Sequence, residues 1–249
     1  MKHKNNITGL ESAFVLGDIH GNIVQFERAV QFARERNLMI VSLGDLTDYG
    51  HENFKCVQLM HKLVTQDLAC MVIGNHDFKF KKWIDQGREG TIRVEVKRGL
   101  LNTVTEYEAL NSDKQNEMLD KFDAIYDNSS FIYHEGNTMF IHAGVHPTMW
   151  HVDELNGKLR SRAIYGQVDG YNENNYPNRI YDWAELVPSD NSVFIGHDII
   201  NIDHITKIGQ LQNVFSLDTG SSKGGKLSGV VVEKTNGRFM PVSQHSFDK

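Results

Sequence analysis

The chain is poor in cysteine, has no long apolar run and carries no excess of positive charge, and each shortage excludes a class of protein. Only Cys56 and Cys70 are present, with no CxxC pair, so neither a disulfide framework nor a thiolate zinc site is indicated; a reducing, cytoplasmic setting is expected. Nowhere do ~18 apolar residues run together, as a membrane span requires, and the opening MKHKNNITGLES lacks the apolar core of a secretory leader. No membrane partner is expected. The formal charge is -6, whereas domains that grip extended nucleic acid are usually basic, so no such binding is expected. A nucleotide, a short nucleic-acid end or a phosphopeptide stays compatible with that charge. The sequence shows no internal repeat and carries no signal of oligomeric state.

What the chain does have is a repeated local pattern. Its 249 residues, 40% of them hydrophobic, can bury a full core, and one domain spanning 1–249 is expected. Short apolar runs end in glycine and a polar residue: Ala13 to Leu16 before Gly17-Asp18, Ile40 to Leu43 before Gly44-Asp45, and Met71 to Ile73 before Gly74-Asn75. Between them the spacing predicts helices over 22–36 and 52–64, giving the strand and helix alternation of a parallel sheet, whose ligands gather beyond the C-terminal strand ends. Residues 100–127 look helical and charged and are expected to cap the sheet. Later strands are expected at 131–133, 138–141, 193–195, 214–217, 227–232 and 239–242. The Gly-, Asn- and Asp-rich stretch 166–179 is expected to be an irregular loop near the site.

Strand ends thus deliver GD-x-H-G (17–21), GD-xx-D (44–48), GNHD (74–77), HAG (142–144), GHD (196–198) and DTG (218–220). A lone histidine at such a place is ordinarily a hydrogen-bonded structural residue, and a lone aspartate a cap or turn former. The first five motifs in one chain, all expected at one edge of one sheet, point instead to divalent metal. Carboxylate, imidazole and amide donors without thiolate suit Mn, Fe, Zn or Ni rather than Ca, and a carboxylate between two clusters can bridge two ions. Two ions ~3.5–4 Å apart can activate a shared water and hold both oxygens of an in-line displacement at phosphorus. The glycines are expected to allow the sharp turns that aim each ligand inward.

The motif series resembles that of the calcineurin-type metallophosphoesterases of the phosphoprotein phosphatase branch. The resemblance implies an α/β fold with a central β-sandwich flanked by helices and metals at the C-terminal strand edge. It implies that Asp18, His20 and Asp45 take one metal ion, most simply Mn, and that Asn75, His142 and His197 take a second, with Asp45 bridging. His76 would be the general acid and Asp48 the carboxylate that orients it. Residues 97–100 with Thr103, 160–166 with Asp169 and Gly170, 179–184 and 216–229 narrow the likeness to the phosphatase module of bacterial polynucleotide kinase/phosphatase and its stand-alone relatives, some of which hydrolyse dinucleoside tetraphosphates. The likeness runs from about residue 13 to 233. It implies a phosphoester hydrolase acting on nucleotide, dinucleoside polyphosphate or nucleic-acid terminal phosphates by direct attack of a metal-bridging water. Alternatives are a serine/threonine protein phosphatase and a metal-binding module without catalysis.

Two departures from the family pattern matter. Tyr49 stands where the family has arginine, and Asp198 where many relatives have threonine. Such an arginine clamps phosphate oxygens, and losing a charge-assisted contact costs about 1.5–3 kcal/mol. Arg179 is the first candidate replacement, then Arg162 and Arg160. Tyr49 itself could donate its hydroxyl to phosphate, stack on a base, or simply pack at the rim. Asp218 could line the site or cap a turn. His51 and His146 could support ligands, whereas His3, His61 and His245 are expected on solvated surface or frayed ends. Lys223-Gly224-Gly225-Lys226 is expected to be a hairpin turn with solvated lysines.

Overall fold

The computed structural model describes residues 7–248 except 92, 153 and 175; His3 lies outside the described residues. The chain begins β1 (Ser12–Leu16), α1 (Ile23–Glu35), β2 (Ile40–Ser42), α2 (Asn53–Thr65), β3 (Ala69–Met71), α3 (Asn75–Arg88), α4 (Gly99–Ala109) and α5 (Ser112–Asp127). It continues with β4 (Ile132–Glu135), β5 (Thr138–Ile141), α6 (Gly157–Tyr165), β6 (Gln167–Tyr171) and β7 (Pro177–Ile180). It closes with β8 (Ser192–Ile195), β9 (Thr206–Ile208), β10 (Val214–Ser216), β11 (Leu227–Thr235) and β12 (Arg238–Phe247). No helix among the described residues is long and apolar enough to cross a membrane.

The strands divide between two five-stranded sheets, ordered β12-β11-β1-β2-β3 and β4-β5-β8-β10-β9. This corrects the strand-end expectation that the motifs share one sheet and bears out the β-sandwich that the family resemblance implies. In the first, β1, β2 and β3 are parallel; in the second, β5, β8 and β10 are. Parallel neighbours end at the same edge, so each sheet presents three loop mouths side by side.

Side-chain alternation on β1 builds the layers. Phe14 and Leu16 belong to the cluster that holds Phe26 of α1, Met60 of α2 and Phe80 of α3. Ala13 and Val15 point the other way, into the cluster shared with Phe140, Phe194 and Phe215 of the second sheet. Those three phenylalanines stand in register across β5, β8 and β10 and stack with centroids 5.3 and 5.0 Å apart. Rings of this size bury ~150–250 Å² each, so they are the main bolts between the sheets. On the far face of the second sheet, Ala163 and Ile164 of α6 pack with Ile141 and Ile195. The result is helix, sheet, sheet, helix.

Local physics explains the helices. Asn22 caps α1, accepting from the Gln25 amide, and Ile23, Phe26, Ala29, Val30 and Ala33 form its buried stripe. The start of α2 is capped from outside: Glu106 of α4 accepts from the amides of Asn53 (2.7 Å) and Phe54 (3.0 Å). Helices α4 and α5 pack on α2 and α3, with Leu100, Val104, Met118, Phe122 and Ile125 buried against them.

The described residues of 166–179 are largely paired strand, contrary to the expected irregular loop. They form the antiparallel pair β6 and β7. Asn172 Oδ1 accepts from the amides of Asn174 and Tyr176, both at 3.0 Å, an Asx-type closure of the turn. Neither strand buries a residue fully, β6 being largely exposed and β7 half-buried, so no apolar alternation betrays them in sequence. His245, expected in a frayed end, lies in β12 with its ring 4.1 Å from that of Phe32.

Candidate metal centre and active site

Six strand ends from the two sheets converge on Asp45. Its carboxylate oxygen Oδ2 lies 3.8 Å from His20 Nε2, 4.0 Å from His76 Nε2 and 3.4 Å from His142 Nε2. His142 Nε2 is also 3.1 Å from both Asn75 Oδ1 and His197 Nδ1. Two donor groups able to hold a cation therefore share Asp45: one with His20 and His76, the other with His142 and His197, the atoms of each lying within 4.8 Å of one another. Asp18 Oδ2 stands 3.8 Å from His20 Nε2, so the first group has a further carboxylate. His76 is drawn away from it, because its Nδ1 is held 2.5 Å from Asp48 Oδ2; Asp18 is the better third donor.

The ligands themselves take the sharp turns. His20, Asp45, Asp48, Tyr49 and His197 have φ of 49°, 52°, 77°, 61° and 72°, left-handed backbone that side chains other than glycine seldom adopt, and which surrounding bonds must enforce. Gly44 does take a left-handed turn, with φ of 98°, but Gly74 and Gly196 serve as space: a Cβ on Gly74 would sit 2.1 Å from Asp45 Oδ1, and one on Gly196 2.0 Å from Asp18 Oδ1. This revises the expectation that these two glycines provide the turns. Asp77, overlooked in sequence beyond its place in GNHD, is the enforcing residue: it accepts from the amides of Asp45 (2.7 Å), Leu46 (3.0 Å) and Gly74 (2.9 Å). An acid at the third position of α3 was the available signal.

The centre's charges ask for cations. Burial and the neighbouring Asp218 push Asp18 well above the ordinary carboxylate range, and burial raises Asp218 as well. Asp218 Oδ1 accepts from the Gly220 amide at 2.9 Å, while its buried Oδ2 has no hydrogen-bond partner among the described residues. It thus both caps the turn and presents a free acceptor. Burial works against charge on Asp45, but His142, His76 and His20 outweigh it and hold its pKa well below the usual range. Burial lowers His20 to about 3 and takes His197 well below its normal value, helped by the charges of His142 and Arg179. Burial also opposes charge on His142, yet Asp45 beside it pushes its pKa up to about 10. Buried carboxylates, imidazoles of which His20 and His197 are held neutral, and an amide oxygen, with no thiolate, form a donor set that fits divalent metal.

Beside the centre, Asp48 connects His76 to a distant helix. Thr103 Oγ1 donates to Asp48 Oδ1 at 2.5 Å, and the Asp48 amide donates to Asn53 Oδ1 at 2.8 Å. Burial disfavours the imidazolium of His76, but Asp45 and the Asp48 hydrogen bond prevail and raise its pKa. Thr103 and Asn53 are the supports whose roles sequence reasoning missed, since the contacts span 55 and 5 residues.

The expected substrate residues scatter. Arg179 donates to His197 Nε2 at 2.8 Å and stands 3.6 Å from Asp198 Oδ1; Asp198 also accepts from the Tyr181 hydroxyl. Arg162 bonds Gln167 at the base of the strand pair, and Arg160 lies 5.8 Å over the Phe131 ring, so neither has a described contact with the centre. Tyr49 is half-buried, its ring edge-on to His20 at 4.9 Å and 5.1 Å from that of His76; burial raises its phenol pKa. His146 caps a 3-10 turn by accepting from the Thr148 amide, and His51 is exposed.

Fold and site together define a metal-dependent phosphoester hydrolase. The model for calcineurin-like phosphoesterase matches residues 13–218, and the chain belongs to that family. It is 27% identical over 227 residues to asymmetrical bis(5'-nucleosyl)-tetraphosphatase PrpE of Oceanobacillus iheyensis, covering 86% of each. The protein of the same name from Geobacillus thermodenitrificans is 29% identical over 227 residues, 86% of this chain and 87% of that one. Among solved structures, a serine/threonine phosphatase from Saccharomyces cerevisiae superimposes with a TM-score of 0.59 at 14% identity, covering 96% of this chain and 80% of that one. That last likeness is one of fold.

Proposed function

We propose that this chain hydrolyses dinucleoside polyphosphates, a dinucleoside tetraphosphate foremost, at a two-cation centre. Asp18, His20 and Asp45 hold one cation, manganese in this reading, and Asp45, Asn75, His142 and His197 hold the other. The observation that carries this is the placing of Asp45 Oδ2 between the two donor groups. The substrate class is supported by likeness to the two tetraphosphatases over most of both chains. When bound, such cations supply Lewis acidity at phosphorus and lower the pKa of water.

The protein's own residues do the rest. His76, oriented by Asp48, gives its proton to the leaving phosphate oxygen. Asp48 is in turn kept in place by Thr103, so the acid is set by a hydrogen-bonded chain into α4. Arg179, Tyr49 and Asp218 border the cleft that receives the phosphates, while Arg162 steadies the strand pair beside it.

The test is a substrate panel with Mn present: diadenosine tetraphosphate, an alkyl phosphoester, a nitrophenyl phosphoester and a phosphopeptide. Hydrolysis of the tetraphosphate is expected to vanish on exhaustive chelation and return with Mn. His76→Ala is expected to lower kcat about 10²–10⁴-fold on the alkyl ester and less on the nitrophenyl ester, whose leaving group needs little protonation. Full activity after chelation sinks the metal reading, equal loss on both esters sinks the general-acid role, and preference for the phosphopeptide returns the protein-phosphatase reading.

A further inference from the structure

Position 49 carries tyrosine where the resembling motif has an arginine, and the structure sets a different cation over that tyrosine. Lys223 Nζ lies 4.3 Å from the centroid of the Tyr49 ring. That ring touches both His20 and His76, so the ammonium stands above the junction of the first donor group and the proton donor. The expected solvated turn is therefore half right: Lys223 is exposed, but its ammonium lies over the Tyr49 ring. No carboxylate among the described residues lies within ion-pair distance of it.

The turn that carries Lys223 is tied to the segment that carries His20. Ser222 Oγ donates to the His20 carbonyl at 2.6 Å, Asn22 Nδ2 donates to the Ser221 carbonyl at 3.1 Å, and Ser221 Oγ donates to Gln25 Oε1 at 2.8 Å. These bonds fix the backbone that carries Lys223, so no loop has to be ordered when the ammonium meets an anion. Its charge is felt at His20, His76 and Asp218, groups that line the cleft.

We propose that Lys223 is the phosphate-gripping cation of this chain, carried on the 220–225 turn and braced on the Tyr49 ring, in place of the arginine that the family motif has at position 49. This rests on the phosphoesterase reading. The exchange has a chemical consequence. An ammonium is a point charge with rotatable donors on a flexible stem, so it can follow oxygens along a bent polyphosphate, whereas a guanidinium forks one phosphate in a fixed plane.

The experiment titrates inorganic phosphate calorimetrically into Mn-loaded wild type, Lys223→Ala, Lys223→Arg, Lys226→Ala and the double variant Tyr49→Arg/Lys223→Ala, and measures KM for diadenosine tetraphosphate in each. Equal Mn affinity reports an intact centre. Lys223→Ala is expected to raise both the phosphate Kd and KM roughly 10- to 100-fold, the worth of one charge-assisted contact. Lys223→Arg and the double variant should recover most of it, and Lys226→Ala, whose lysine lies beside Asp248, should match wild type. Unchanged phosphate binding in Lys223→Ala, or none in wild type, overturns the proposal. Wild type that binds phosphate through Lys223 but hydrolyses no phosphoester upholds Lys223 and refutes the phosphoesterase reading instead.

Discussion

Asp77 grips the backbone of Asp45: its Oδ2 accepts from the Asp45 amide at 2.7 Å, across 32 positions of sequence, and holds that residue at φ 52°. The same carboxylate takes the Leu46 and Gly74 amides, so one buried side chain fixes the relative position of the second and third motifs. Burial and the nearby Asp45 raise its pKa to about 6, against the pull of those amides.

Asp77→Ala is expected to strip three buried amides of their acceptor. At about 1–3 kcal/mol for each unsatisfied group, a loss of roughly 3 kcal/mol or more in folding free energy is expected by urea denaturation of the metal-free protein. Mn affinity should fall at least 10-fold as Asp45 leaves its left-handed backbone. A variant as stable as wild type would show that water or a rearranged loop satisfies these amides.

Gly74→Ala and Gly196→Ala are expected to abolish tight Mn binding in a chain that still folds. Each new methyl would meet a carboxylate oxygen at 2.1 or 2.0 Å, and the oxygen it displaces belongs to Asp45 or Asp18. Gly157→Ala is the control, since a Cβ there meets nothing within 4 Å. Circular dichroism and Mn titration on the three proteins decide it; wild-type affinity in the first two would mean the carboxylates can shift without loss.

Arg179→Ala is expected to tighten Mn binding while weakening phosphate binding. Arg179 donates to His197 Nε2, and a histidine bound to metal through its other nitrogen keeps a proton on Nε2 and cannot accept. Arg179 and a cation at His197 therefore compete, and like charges repel besides. A fall in Mn affinity on removing Arg179 would show that the guanidinium supports the ligand.

Much of this was legible in the strands. Apolar runs such as Ala13 to Leu16 and Ile40 to Leu43 end in polar residues because the sheet edge is where buried chain meets the cleft, and that contrast is local. The convergence of Asp18, His20, Asp45, Asn75, His142 and His197 followed from five such endings. The pair β6 and β7 was not legible, because strands without a fully buried face, held by an Asx turn, carry no hydrophobic period. The division into two sheets came only from the family resemblance, with its implied β-sandwich, since a run like Met139 to Ile141 reads the same in either sheet.

By itself the sequence determined the donor inventory, the alternation of strand and helix around the first three motifs and the absence of an arginine at position 49. Those are properties of residue type and near-neighbour spacing. Only the tertiary structure decided that Asp77 enforces Asp45, that Thr103 holds Asp48, that Arg179 is engaged with His197 and that Lys223 covers Tyr49. Each of these is a contact between groups distant in sequence, and its geometry is set by how two sheets and a tier of helices pack rather than by any local preference.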